Sequence, residues 1–275
     1  MTLAFAEAVG AAADRTLGEP EPWRPGAVQD DRCDELSRAL AGMGWLDLAS
    51  DPRLLPLAGP AALELGRRLA PLSELDALLG GSPLAGDLVR YGATSAVAFA
   101  DDAHGGDASG GPARAHGAPV VYAIDRAEPV AYGDALGVHR VLERHAVGRA
   151  GDHAIAAWIA ASTGYLAGLS EWALGIALDY AKGRKAFGGT LASLAPVQQR
   201  LADAATAARG LSLLAADTPG RAALAHAGAA AVDVTAACQQ VAGAIGFTLE
   251  FPLQRAYRRA RAVQLWADAL IAPSR

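Results

Sequence analysis

Residues 179–203 read DYAKGRKAFGGTLASLAPVQQRLAD. A long helix ends through Tyr180, Arg184 and Phe187, Gly188-Gly189 turns the chain, and a second helix starts with Gln198 and Leu201 on its inner side. Two long segments joined by so short a turn predict antiparallel neighbours in a helical bundle. The arginine has two readings at this point. Beside a glycine turn it can offer a planar fork to a phosphate. It can equally cap the helix C-terminus against the dipole.

From Gly151 onward the same texture continues, with helices expected at 152–183, 190–216, 220–242 and 252–271. Glycine or proline separates them, as an antiparallel four-helix bundle needs. Alanine suits this packing because it carries no helix penalty and lets helices approach closely. No fixed period recurs, so a repeat array is excluded. The last junction, residues 238–266, reads CQQVAGAIGFTLEFPLQRAYRRARAVQLW. It breaks at Gly243 and Gly246, turns through Phe251-Pro252 and re-enters a helix carrying Arg255, Arg258, Arg259 and Arg261. A glycine break there is either a helix cap or a phosphate-facing loop.

Upstream, a short helix is expected over 1–14, then a loop rich in proline and glycine over 18–27. Leu36, Leu40, Met43 and Leu46 give residues 30–49 the three-to-four spacing of a helix face. A further helix over 59–70 carries Pro60 in its first turn, where proline costs no hydrogen bond, and stops at Pro71. After residue 90, TSAVAFAD (94–101), APVVYAID (118–125) and a segment near Val138 to Val147 read as short strands. No alternation of strand and helix follows, so this is a small β unit and not a Rossmann sheet. GGDASGG lacks GxGxxG spacing and no GxxxxGK[ST] occurs. Asp101, Asp102, His104 and Asp107 read as a solvated loop, and no metal is assigned. The expected domains are 1–91 (N-terminal helices), 92–150 (a reduced β-domain) and 151–275 (the bundle), giving a mainly α fold.

Of 275 residues, 52% are hydrophobic and 19% charged, the balance of a chain that folds around a core. A net charge of -5 offers no general attraction to nucleic acid. Two distant cysteines, Cys33 and Cys238, fit a reducing compartment, so the cytoplasm is expected. Glu7, Asp14 and Arg15 interrupt any signal-peptide pattern, and no run suited to spanning a bilayer occurs, so neither secretion nor a membrane partner is expected.

Tyr180 with Arg184-Lys185-Ala186-Phe187-Gly188 resembles the YxxxRxxFG signature of the acyl-CoA dehydrogenases, and Val197-Gln198 through Asp203 is similar to the segment after it. Gln240 through Phe247 resembles their QxxGGxGF element, followed in order by Glu250, Pro252-Leu253 and the arginine-rich helix. GWLDLA and LELGRRLAP look like N-terminal helices of the same family. The resemblance implies an acyl-CoA dehydrogenase-like fold of N-terminal helices, middle β-domain and C-terminal bundle, assembled as an oligomer. It implies FAD as cofactor and an acyl-CoA thioester as substrate. In that family, residues matching Arg184, Phe187 and Gly188 meet the FAD of a neighbouring subunit, while those matching Gln240 and Gly243 lie along its diphosphate.

Several positions depart from the pattern. The family reaction needs a base for the α-proton while hydride leaves the β-carbon for the flavin. Where many members have that glutamate, this chain has Ala267, and the second family location falls near Trp158. Asp268 is one residue away, which on a helix turns its side chain by about 100°. Glu171 and Asp179 read as solvated carboxylates. The middle segment is short, FADDAHGGD (99–107) is at most a remnant of the family's flavin-contacting run, and Ala195 replaces a glutamine common after the FG turn. The first expectation is therefore a subunit that lends FAD contacts to a fuller partner, resembling the heteromeric enzymes of actinobacterial steroid side-chain breakdown. The alternatives are a homomeric flavoenzyme using Asp268 or another base, and a flavin-free scaffold on the same fold.

Overall fold

The computed structural model describes residues 2–17, 31–90, 93–98, 119–130 and 138–271. Four helices come first: α1 (Thr2–Leu17), α2 (Asp31–Gly42), α3 (Leu55–Gly66) and α4 (Ser73–Leu79). Five strands follow, β1 (Ser82–Pro83), β2 (Leu88–Arg90), β3 (Ser95–Ala98), β4 (Val120–Pro129) and β5 (Val138–Arg149). The chain then enters α5 (Asp152–Gly183), passes through the hairpin β6 (Lys185–Ala186) and β7 (Gly189–Thr190), and continues into α6 (Ala195–Ala215), α7 (Arg221–Ala242) and α8 (Leu253–Ile271). The result is the mainly helical fold with a small sheet and a C-terminal four-helix bundle that the sequence predicts. Among the described residues no helix is long and apolar enough to cross a membrane.

Helix α5 is the axis of the molecule. Residues 157–170 are buried on every face, which is why AWIAASTGYLAGLS shows no polar side. Two of its hydroxyls fold back on the helix: Thr163 Oγ1 donates to the Ile159 carbonyl at 2.9 Å and Ser170 Oγ to that of Leu166 at 2.8 Å. On one side lie α6 to α8; on the other α3 packs backbone to backbone. A Cβ at Gly164 would stand 2.0 Å from the Gly59 oxygen, and one at Gly168 2.0 Å from the Leu63 oxygen. From the opposite helix, a Cβ at Gly66 would stand 2.1 Å from the Tyr165 oxygen. The Tyr165 hydroxyl donates to the Ala70 carbonyl at 2.7 Å and fixes the chain just beyond α3.

The expected helix over 59–70 begins a turn earlier, so Pro60 lies inside α3 and leaves the Pro56 carbonyl without its helical donor. The earlier start comes from Asp51, whose side chain accepts from the Arg53 N–H and caps a 3-10 turn (Pro52–Leu54) leading straight into α3. The expected helix over 30–49 is divided as well, because Gly44 at φ +86 bends the chain between α2 and a 3-10 turn at Leu46–Ala49. Trp45 follows the bend into the core, its indole N–H donating to the Glu74 carbonyl at 2.8 Å.

The sheet runs β1-β3-β4-β5-β2, antiparallel except for β1 beside β3. The three segments read as strands are β3, β4 and β5; β1 and β2, at two and three residues, carry too little alternation to be read. Leu84, Val89, Ala96, Ala98, Tyr122 and Val141 form its small core. Residues 99–118 lie outside the described set, and with them Asp101, Asp102, His104 and Asp107. Among the described residues no group of three or more metal-ligating side chains occurs.

Burial raises the Glu74 carboxyl above its ordinary value of 4.5, although Ser37 Oγ donates to it at 2.6 Å. An acid whose folded value is raised contributes stability that is complete below about pH 4.5 and lost as pH rises through the folded value. Glu74→Gln keeps the acceptor for Ser37 without the charge. Urea midpoints should therefore show the variant gaining on the parent between pH 4 and pH 7; a gap that does not change with pH would contradict this assignment.

Candidate functional site

Short connections join α5 to α8, so α5 and α7 run in the same direction and their C-terminal ends lie at one end of the bundle. The Tyr180 and Phe251 rings meet there edge to face, with centroids 5.4 Å apart. The two segments quoted above, far apart in sequence, thus share one surface.

In the first turn, Arg184 ends α5 in extended conformation, its N–H donating to the Tyr180 carbonyl at 2.8 Å. Its guanidinium is exposed, and among the described residues no carboxylate pairs with it. Phe187 has φ +53 and Gly188 φ +82, so a left-handed pair closes the β6–β7 hairpin. A phenylalanine in that region is uncommon and costs energy. The conformation turns the ring outward, leaving Phe187 90% exposed.

In the second turn, Gly243 ends α7 with φ +70 and ψ -146, a backbone open in practice only to glycine. A Cβ there would meet nothing within 4 Å, so the glycine is needed for its angles and leaves a bare backbone facing outward. Gln240 is exposed beside it. Gln239, which sequence reading passed over, points the other way: it is 3% exposed and its Nε2 donates to the Gly246 carbonyl at 3.1 Å. Gly246 packs on α7, where a Cβ would stand 2.6 Å from the Gln239 oxygen. Of the two glycines in the break, Gly246 serves the fold and Gly243 faces solvent. Ile245, Phe247 and Leu249 are exposed around them.

Other positions differ from the sequence reading. Gln198, read as an inner residue, is exposed and ties its Nε2 to the Ala192 carbonyl at 2.9 Å, while Leu201 is buried as expected. Glu171, read as solvated, is half-buried and joins three elements, accepting from Arg67 at 2.6 Å and from Ser212 at 2.5 Å. Only its distant partners reveal that role. Asp179 is exposed. Ala267 is completely buried in the bundle core, Asp268 is exposed on the next step of α8, and Trp158 is 2% exposed with its indole N–H lacking an acceptor. Burial pushes the Cys238 thiol up to about 12, which leaves it inert as a nucleophile. A groove of about 570 Å³ between α6 and α7, lined by Pro196, Arg200, Asp203, Asp233 and Val234 among others, holds none of the five expected cofactor residues.

The donor set suits a nucleotide diphosphate on chemical grounds. It combines an exposed guanidinium, a side-chain amide, a glycine backbone open to close approach and an outward phenyl ring for stacking. The set lies exposed at one end of the bundle, and none of its members is an acid or base suited to proton abstraction.

Residues 160–267 match the family model described as acyl-CoA dehydrogenase, C-terminal domain. The mitochondrial short-chain specific acyl-CoA dehydrogenases of Sus scrofa and Bos taurus are 34% and 33% identical over 113 and 111 residues. These matches span 36% of this chain and 27% of each relative, so the chain aligns with about a quarter of their length. The fold is similar to that of the Tcur3481-Tcur3483 steroid ACAD, with a TM-score of 0.65 and 17% identity over 95% of this chain and 92% of the other. It is also similar to the ChsE4-ChsE5 complex from Mycobacterium tuberculosis (0.64, 18%, 98% and 93%). A third similar structure is a glutaryl-CoA dehydrogenase from Mycobacterium smegmatis in complex with FADH2 (0.63, 13%, 94% and 89%). Residues 160–267 are thus similar to the C-terminal domain of the acyl-CoA dehydrogenases, and the fold as a whole is similar to that of solved acyl-CoA dehydrogenases.

Proposed function

We propose that this chain is a subunit of an FAD-dependent acyl-CoA dehydrogenase, lending FAD contacts to a catalytic partner and lacking the usual base. The observation that carries the reading is the contrast between the two ends of the matched motifs. Arg184, Phe187, Gly188, Gln240 and Gly243 form an exposed wall at one end of the bundle, with Phe187 90% exposed. The position matched to the base is an alanine with no exposure at all. A chain built to complete a neighbour's cofactor site keeps the first set and has no use for the second.

Bound FAD supplies the hydride acceptor for α,β-dehydrogenation of an acyl-CoA thioester. In this scheme Arg184 balances diphosphate charge, Gln240 donates from its amide, the Gly243 backbone allows close approach, and Phe187 with Gly188 covers a ring face and excludes water. The three-part division at 1–91, 92–150 and 151–275 belongs to the same reading. Two of the similar structures bear the names of paired proteins, which favours a heteromer. A bulky or steroid-like acyl group is the corresponding substrate class.

The test is purification of the chain alone and together with a second acyl-CoA dehydrogenase-type chain, followed by a flavin absorbance spectrum. Flavin should appear with the pair and not with the chain alone. Within the pair, Arg184→Ala should weaken flavin retention by about 10-fold or more, the usual value of a hydrogen bond to a charged group. Flavin binding and acyl-CoA dehydrogenation by this chain alone would overturn the proposal.

A further inference from the structure

Glu74 and Asp76 of α4 are buried carboxyl groups far from any flavin-binding role, 3% and 6% exposed. Asp76 Oδ2 accepts from Arg90 Nε at 2.6 Å, which ties α4 to β2 of the sheet. Glu74 is bonded instead to α2: its Oε1 accepts from Ser37 Oγ at 2.6 Å, and also from Ser73 Oγ of its own helix at 3.3 Å. The Glu74 carboxyl therefore meets Ser37 from α2, Ser73 and Asp76 from α4, and Arg90 from β2. Among the described residues Arg90 is the one cation acting on either carboxyl, so ionising both acids would bury a net negative charge. Burial, and then the neighbouring Asp76 charge, favour a proton on Glu74.

The Ser37 hydroxyl fits both states of that carboxyl. It has one hydrogen and two acceptors in reach, Glu74 Oε1 and the Cys33 carbonyl at 3.1 Å. Beside a carboxylate it donates to Glu74. Beside a carboxylic acid it accepts from Glu74 and turns its own hydrogen to the Cys33 carbonyl, so α2 and α4 stay bonded. Separating α2 from α4 removes this partner and uncovers the carboxyl to water, where the charged form is favoured. The chain has a joint for such a separation. Gly44, at φ +86, lies between α2 and Trp45, and the Trp45 indole N–H is held by the Glu74 carbonyl at 2.8 Å. The far side of the joint is thus pinned to α4, while α2 is seated through Leu36, Leu40 and Ser37.

We propose that α2 is a pH-gated helix: a proton on Glu74 holds it closed on α4, and loss of that proton raises the population of a minor state in which α2 has swung out about Gly44. The open state stays rare because it exposes Leu36 and Leu40, both fully buried when the helix is closed.

The experiment is amide hydrogen exchange of the purified full chain from about pH 5 to about pH 8, with rates corrected for the intrinsic effect of pH. Neither flavin nor acyl-CoA is present, so its outcome is independent of the dehydrogenase reading. The Leu36 and Leu40 amides should be less protected than those of residues 160–169 in α5 at every pH. Their protection should fall by up to about tenfold per pH unit above 4.5, the ordinary value of the Glu74 carboxyl, and level off above its raised folded value. In Glu74→Gln the protection of α2 should not change with pH. Ser37→Ala removes a donor that favours the carboxylate, so the fall should extend to higher pH, and this variant carries the comparison should Glu74→Gln fail to fold. Protection of α2 equal to that of α5 would overturn the gate, as would protection independent of pH in the parent. The same pH dependence in Glu74→Gln as in the parent would overturn it too.

Discussion

Gly164→Ala should lower stability by about 3 kcal/mol or more, although it replaces a mid-helix glycine by the best helix former. The propensity gain is about 1 kcal/mol. Against it stands a Cβ 2.0 Å from the Gly59 carbonyl oxygen, with the Gly59 carbon at 2.7 Å and its Cα at 2.9 Å. All three are backbone atoms, so no side-chain rotation relieves the overlap and the helices themselves must separate. Separation loosens the whole α3–α5 contact, including the Gly66 and Gly168 approaches on the same face. Overpacking ordinarily costs about 1–3 kcal/mol, and a backbone clash lies at or beyond the upper end of that range. For a chain of this size the melting temperature should fall by roughly 6–12 °C. Gly175→Ala and Gly210→Ala are the controls: both glycines are helical with nothing within 4 Å of a Cβ, and each change should stabilise by about 0.5–1 kcal/mol. Equal effects at positions 164 and 175 would refute the close-packing assignment.

That contrast shows where sequence reading stops. Alanine-rich stretches with glycine or proline between them are enough to place four bundle helices, and α5 coincides with its expected span of 152–183. Which glycines mediate contact is not legible, because Gly164 and Gly175 look alike within one helix and differ only in what stands opposite. The same holds for polar residues. Gln239 and Gln240 are adjacent and identical in type, yet one step of about 100° buries the first against Gly246 and exposes the second. Glu171 reads as solvated because its partners Arg67 and Ser212 are 104 and 41 positions away. The left-handed Phe187 is legible only through its motif, since nothing in composition or periodicity calls for a positive φ at a phenylalanine. Strands β1 and β2 are held by pairing to β3 and β5, a long-range cause that two or three residues cannot announce.

Ala267→Glu, the substitution that would restore the family's base by sequence, should not create a dehydrogenase and should cost about 4 kcal/mol. Ala267 continues the buried stripe of Ala256, Ala260 and Val263 on α8, each of them 2% exposed or less. A glutamate at that position enters packed core, where four further heavy atoms must be accommodated and the carboxylate finds no partner. Its pKa would rise by several units, so at neutral pH the group would stay protonated or drive local unfolding. In either state it is a poor proton acceptor. The variant should melt roughly 8–16 °C below the parent and show no acyl-CoA-dependent bleaching of flavin when purified alone. Asp268→Asn tests the adjacent carboxylate from the other side. Asp268 is exposed, so its loss should leave stability within about 0.5 kcal/mol and any partner-dependent activity unchanged. A stable, active Ala267→Glu protein would mean that α8 opens around position 267, and the placement of that position in closed, packed core would fall with it.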